Sequence, residues 1–169
     1  MQNQRIIVCG PDKCGKTTFV NLLESRLGIK SYKSKKEKGL FHEVQGQYNM
    51  LKWVVPELIE LISQFDINIV FDRFIPCEYA YAKTFNRFTD TELIFKYDKQ
   101  WNDINGKIIF IWRSTPFAQD DVIDNFKYHS TLISNYNEYL VRSKCKFLSL
   151  ENNTTIEEGF NTIQKFLND

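Results

Sequence analysis

The chain has 169 residues, and its 22 lysines and arginines almost balance its 21 aspartates and glutamates. A chain of this length forms one domain, and its 43% hydrophobic and 25% charged content is typical of a globular protein. The near-neutral charge argues against a protein that coats nucleic acid through a basic excess, and no apolar run approaches the ~20 residues of a membrane-spanning helix.

The cysteines and the N-terminus indicate a cytoplasmic protein. The four cysteines show no CxxC or Cys/His metal-binding spacing, which is typical of free thiols in a reducing compartment. The apolar run after Arg5 is too short for the core of a secretory signal. We therefore expect a cytoplasmic location, a single domain over residues 1–169 and no membrane partner.

Short, nearly continuous apolar runs predict the strands. They lie at residues 5–9, 68–72, 107–112 and 146–150, with a weaker run at 29–33. Strands that are apolar on both faces are typical of a buried parallel sheet.

Helical patterns lie between these strands. They cover residues 16–27, about 43–65 with a kink or restart at Pro56, and 120–141, and a last helix opens with a capping-box pattern at Thr154/Thr155. The alternation of strands and helices predicts an α/β fold, with a parallel sheet of about five strands and helices on both faces.

A glycine-rich loop joins the first strand to the first helix. Residues 10–18 read GPDKCGKTT and match the phosphate-loop pattern G-x-x-x-x-G-K-[ST] in the strand–loop–helix context that this motif requires. In such a loop, backbone N–H groups and the positive helix end hold phosphate oxygens, a lysine reaches the β- and γ-phosphates, and a hydroxyl ligates Mg²⁺. The sequence therefore predicts a P-loop NTPase three-layer fold that binds ATP and Mg²⁺ through Gly10, Pro11, Asp12, Lys13, Cys14, Gly15, Lys16, Thr17 and Thr18.

Two further charged features accompany the loop. Asp72 and Arg73 end the second strong strand, where ligands bind in open α/β sheets; Asp72 is a candidate Mg²⁺ ligand beside Thr17, and Arg73 a candidate phosphate clamp. The basic run at 30–38 is either a solvated surface loop or a loop that meets an anionic ligand.

The Asn-Lys-x-Asp motif that reads guanine in GTPases is absent from the sequence, which argues against a GTPase.

Together these motifs resemble the thymidylate kinase family of nucleoside monophosphate kinases. The family loop has an acidic residue at the position of Asp12, and the family's Asp-Arg-aromatic motif matches residues 72–74. Ala80-Tyr81 follows that motif at the spacing that the family shows. The resemblance implies that Asp12 contacts the acceptor, Lys16 the donor phosphates and Arg73 the acceptor phosphate. It also implies substrate contacts from Tyr48, Lys52 and Tyr81, a homodimer through the helix at 43–65, and a short lid at about 113–125.

Lys13 follows Asp12 at a position where some family members carry a catalytic arginine. Because residues 114–125 contain no arginine or lysine, Lys13 is a candidate for stabilising the transferring phosphoryl group. Near Tyr81, Cys77 and Ala82 stand where the family has a serine and a glutamine, so the sequence leaves the identity of the recognised base open.

Three functions follow from these patterns. The favoured one is ATP- and Mg²⁺-dependent phosphoryl transfer to a deoxynucleoside monophosphate, with dTMP or a close, modified analogue as acceptor. The second is a kinase for a deoxynucleoside or a nucleic-acid hydroxyl, with Asp72 as general base. The third is a nucleotide-binding module without turnover.

Overall fold

A computed structural model describes residues 3–33, 50–117 and 125–169. The strands are β1 (Arg5–Cys9), β2 (Lys30–Tyr32), β3 (Ile69–Asp72), β4 (Gly106–Trp112) and β5 (Lys146–Glu151). The α-helices are α1 (Lys16–Leu27), α2 (Val55–Gln64), α3 (Ile75–Thr84), α4 (Thr91–Asp103), α5 (Asn125–Arg142) and α6 (Ile156–Asn168), and a π-helical turn at Met50–Val54 precedes α2.

The five strands form one parallel sheet in the order β2-β3-β1-β4-β5. The central strand β1 pairs with β3, where Val8 aligns with Asp72, and with β4, where Cys9 aligns with Phe110. The carboxyl ends of these three strands therefore meet at one edge of the sheet. Ligands of open α/β sheets bind at this edge.

Hydrophobic cores cover both faces of the sheet. Successive side chains of a strand point to opposite faces. Along β1, Ile6 and Val8 pack with α1 and α6, whereas Ile7 and Cys9 pack with α2, α3, α4 and α5. The predicted α/β fold, with a parallel sheet between two helical layers, is confirmed.

Most predicted element boundaries are close to the observed ones. Helix α1 ends at Gly28, whose φ of 67° is typical of a helix C-cap. Helix α6 begins after Thr155, which forms the capping box with Glu158. The helix predicted at 43–65 is described from Met50 onwards, and Pro56 lies in the first turn of α2, where the π-helical turn gives way to an α-helix.

Sequence patterns did not predict α3 and α4. Helix α3 is buried along most of its length and so lacks a polar face to give it a helical period. The buried face of α4 contains Asp98, whose carboxylate accepts hydrogen bonds from Tyr139, Ser143 and the Lys144 backbone. That satisfied buried acid interrupts the apolar pattern.

Candidate active site

The phosphate loop lies between the end of β1 and the first turn of α1. Gly10 has a φ of 139°, and a Cβ built there would lie 1.9 Å from the backbone oxygen of Ile111 in β4. Gly15, immediately before α1, has a φ of 91°, and its Cβ would lie 2.4 Å from the side-chain nitrogen of Asn152. Both positions therefore require glycine, for backbone conformation and for space.

Lys16 is buried at the base of this loop, with 5% of its surface exposed. Its ammonium donates a hydrogen bond to the Pro11 carbonyl and lies 3.9 Å from Oδ1 of Asp12. Burial, together with the nearby charge of Arg73, lowers the pKa of Lys16. Thr17, next in the chain, is exposed on the first turn of α1.

Main-chain groups of the loop are held from the β4 and β5 side. The Phe117 N–H donates to the Lys13 carbonyl at 2.9 Å, and the Asn152 side chain donates to the Cys14 carbonyl at 3.0 Å. Arg113 at the end of β4 in turn donates to the Asn152 carbonyl and stacks 4.0 Å from the Phe117 ring. These contacts fix the loop before any phosphate binds.

Sequence reasoning missed the role of Asn152 and Phe117 in these contacts. Asn152 lies two residues after the strand predicted at 146–150 and directly after the observed β5, so its place at the ligand-binding edge was the signal that could have identified it. His129 belongs to the same region, since its Nε2 lies 2.6 Å from the Arg113 carbonyl.

A charged cluster faces the loop from the end of β3. Arg73 has a φ of 73°, its N–H donates to the Val8 carbonyl at 2.9 Å, and its guanidinium is bonded to Oδ1 of Asp12. The Tyr81 hydroxyl from α3 donates to the other carboxylate oxygen of Asp12 at 2.8 Å. The structure thus brings Asp12, Arg73 and Tyr81 together.

The charges in this cluster alter one another's titration. Burial acts to raise the pKa of Asp12, but the charges of Arg73 and Lys16 and the Tyr81 hydrogen bond outweigh it and hold the pKa below its ordinary value. Burial opposes the charge of Arg73, yet Tyr81 and Asp12 raise the pKa of Arg73. Burial raises the pKa of Tyr81. At neutral pH the cluster therefore contains a carboxylate, a guanidinium and a neutral phenol.

One cavity of about 310 Å³ joins the loop to the end of β3. It is lined by Gly15 and Thr17 and by six charged residues: Asp12, Lys13, Lys16, Lys33, Asp72 and Arg73. A larger cavity of about 690 Å³ lies at the amino ends of the strands, and half of its lining residues carry amide side chains, such as Asn68 and Asn105. The smaller cavity is the candidate active site, because it combines the phosphate loop with cations and carboxylates.

The donor set in the smaller cavity fits Mg²⁺. Thr17 supplies a hydroxyl and Asp72 a buried carboxylate, and both line the same space. Hard oxygen ligands of this kind, completed by phosphate oxygens and water, are those that Mg²⁺ prefers. Within the described residues there is no cluster of three or more His, Cys, Asp or Glu side chains that would hold a metal without a nucleotide.

Other predicted contacts lie away from this cavity or outside the described residues. Lys52 is exposed on the π-helical turn, with its ammonium 5.1 Å from the centre of the Trp53 ring, and does not line the cavity. Tyr48 lies outside the described residues, as do residues 118–124 of the predicted lid. None of the described helices has the length and apolar character needed to cross a membrane.

No protein-family model matches the chain, and no curated protein matches its sequence. Solved structures do match. The YorR protein from Bacillus subtilis, in complex with phosphorylated GDP, aligns with a TM-score of 0.70 and 18% identity over 97% of this chain and 95% of that chain. Deoxyadenosine kinase from M. mycoides aligns with a TM-score of 0.67 and 17% identity when bound to dATP, over 98% of this chain and 100% of that chain.

The same kinase with bound dCTP gives a TM-score of 0.66 at 18% identity, over 98% of this chain and 99% of that chain. These likenesses extend along nearly the whole chain, so they concern the complete sheet and its helices. The chain has the P-loop fold of these nucleotide-binding neighbours.

Proposed function

We propose that the protein is an ATP- and Mg²⁺-dependent kinase that transfers the γ-phosphoryl group to a deoxynucleoside monophosphate and releases the diphosphate. The observation that carries the proposal is the single cavity shared by Lys16 of the phosphate loop and by Asp72 and Arg73 at the end of β3. A donor phosphate on the loop and an acceptor beside β3 would lie next to each other there. Positioning and charge neutralisation are the main requirements of phosphoryl transfer.

On the donor side, backbone N–H groups of the loop and Lys16 would hold the ATP phosphates. Thr17 and Asp72 would hold Mg²⁺, which neutralises phosphate charge when it is bound. Lys13 is exposed at the mouth of the cavity, and we assign it the stabilisation of the transferring phosphoryl group. Residues 113–125 would form a short lid, since Phe117 already contacts Lys13.

On the acceptor side, Asp12, Arg73 and Tyr81 would orient the acceptor, with Arg73 exchanging its bond to Asp12 for one to phosphate. The resemblance to thymidylate kinases favours dTMP or a close, modified analogue, with further contacts from Tyr48 and Lys52. The exposed side chains of Trp53, Leu61 and Phe65 support a homodimer through the helix at 43–65, which light scattering would test.

A deoxynucleoside kinase is the second candidate, because the deoxyadenosine kinase of M. mycoides is among the matching structures. In that reaction Asp72 would accept the proton of the acceptor hydroxyl. A hydroxyl on nucleic acid belongs to the same chemical class. A nucleotide-binding module without turnover would use the same loop.

A coupled ADP-release assay distinguishes these functions. The acceptors are the four common deoxynucleoside monophosphates, dUMP, hydroxymethylated pyrimidine nucleotides, the free nucleosides and a short DNA, each with ATP and Mg²⁺. We expect turnover on one or more pyrimidine monophosphates. Turnover on nucleosides or DNA alone would establish the second candidate, and ATP binding without any turnover would contradict the kinase proposal.

A further inference from the structure

Lys33 reaches the buried carboxylate at the end of β3. Its ammonium lies 3.0 Å from Oδ2 of Asp72, and the two side chains differ sharply, with 64% of Lys33 exposed but 4% of Asp72. Lys33 directly follows β2, whose Tyr32 aligns with Phe71 of β3, so the pairing of these strands places the lysine beside the carboxylate.

Both carboxylates of the cavity are engaged by neighbouring donors. Asp12 is held at one oxygen by Arg73 and at the other by Tyr81, and its pKa is lowered. The Lys33 ammonium pairs with Oδ2 of Asp72. A hydroxyl acceptor has to give up a proton to such a group, but it carries no charge that would draw these donors away from the carboxylates.

A phosphate acceptor does not need this base. With a second pKa of about 6, a phosphate monoester is largely dianionic at neutral pH. Its oxygen forms the new bond to the γ-phosphorus of ATP while the bond from that phosphorus to the β–γ bridging oxygen breaks, and ADP leaves with the electron pair. No proton is transferred in the step.

The charge of the cavity also favours a second phosphate group. Its lining includes four cations and two carboxylates, of which Lys16 and Lys13 belong to the phosphate loop, and Lys33 and Arg73 lie at the ends of β2 and β3. Lys33 is largely exposed whereas Asp72 is buried, so the lysine side chain has room to turn from Asp72 towards a phosphate bound beside it. A phosphate monoester carries about −1.5 to −2 charges at neutral pH, against one on the carboxylate, so it attracts the ammonium more strongly.

We propose that Lys33 is a specificity-determining residue, whose ammonium moves from Asp72 to the phosphate of the acceptor and selects nucleoside monophosphates over unphosphorylated nucleosides. The inference rests on the proposed function and narrows its substrate class to acceptors that carry a phosphate.

Equilibrium binding tests this selection without any need for turnover. Isothermal titration would measure dTMP, dCMP, dAMP and dGMP, and then the four nucleosides, against wild type, Lys33→Met, Lys33→Arg and the control Lys30→Met. Lys30 is an exposed lysine of β2, the strand that Lys33 follows. We expect Lys33→Met to weaken monophosphate binding about 10- to 100-fold, Lys33→Arg to restore most of it and Lys30→Met to leave it unchanged.

In steady-state kinetics, the same loss would appear in KM for the monophosphate, with KM for ATP unchanged. Equal monophosphate affinity in wild type and Lys33→Met, no measurable monophosphate binding to wild type, or nucleosides that bind wild type as tightly as monophosphates would each overturn the inference. Selective, Lys33-dependent monophosphate binding without ADP release would support it while overturning the kinase proposal.

Discussion

The proposed donor side of the site is formed mainly by main chain, whereas the proposed acceptor side is formed by side chains. On the donor side, Lys13 and Cys14 present carbonyls that are fixed by Phe117 and Asn152. On the acceptor side, Asp12 is held by Arg73 and Tyr81, which come from distant parts of the sequence. The donor side corresponds to one continuous sequence motif. The residues of the acceptor side come together only when the sheet has formed.

The largest effect is expected for Lys16→Met, which removes the buried cation of the phosphate loop while leaving its main chain in place. Turnover should fall at least about 10²- to 10³-fold, because the charge that holds the donor phosphates is lost. ADP release measures the effect, and an unchanged circular dichroism spectrum shows that the fold is intact. Near-wild-type turnover would mean that backbone groups alone supply the donor side.

Lys13→Ala tests whether a side chain also contributes to chemistry on the donor side. We expect kcat to fall about 10- to 100-fold with KM for ATP nearly constant, since an exposed lysine that acts on the transferring group is needed only in the transition state. Lys13→Arg is the matched variant and should keep most of the activity. Unchanged kcat in Lys13→Ala would remove this residue from the mechanism.

Asp12→Asn removes the charge that organises the acceptor side. The substitution weakens the bonds to Arg73 and Tyr81 and should lower the free energy of unfolding by about 1–3 kcal/mol at neutral pH. Because the folded pKa of Asp12 is lowered, this stability is fully present above the ordinary aspartate pKa of about 3.9 and is lost as pH falls through the folded value.

Urea unfolding from neutral to acidic pH measures this difference. The stability gap between wild type and Asp12→Asn should close as the pH falls below about 4. A gap that stays constant with pH would show that the ionisation of Asp12 does not stabilise the acceptor side.

The smallest effect is expected for Asn152→Ala, which removes a side-chain hydrogen bond to the main chain of the loop. The Cys14 carbonyl would lose its side-chain donor, so stability should fall by about 1 kcal/mol and KM for ATP should rise several-fold. Asn153→Ala is the control, because that side chain is exposed and bonds to Glu151. Equal KM values for ATP in the two variants would show that the Asn152 hydrogen bond does not affect ATP binding by the loop.

Sequence reasoning was most successful where the signal is local. Helix α1 lies between Gly15 and Gly28, both with positive φ, and α6 begins at the capping box of Thr155, so short-range chemistry determines both boundaries. The phosphate loop is equally local. The predicted roles of its residues remain predictions until the variants above are measured.

Contacts across the sheet could not be derived in the same way. The pairing of Lys33 with Asp72 depends on the order in which β2 and β3 lie side by side, which no sequence pattern specifies. The basic run at 30–38 suggested an anionic ligand but did not identify which lysine would face the site. Residues 34–38 of that run lie outside the described residues.

Because all four cysteine thiols are buried, their reactivity reports local opening of the folded chain. Cys9, Cys14, Cys77 and Cys145 are all buried, and Cys14 lies within the phosphate loop. Since thiol reagents modify accessible thiolates, labelling in the folded protein has to wait for each site to open. A nucleotide bound to the loop would slow the labelling of Cys14 more than that of Cys145, so mass spectrometry of the labelled thiols could follow occupancy without a modified nucleotide.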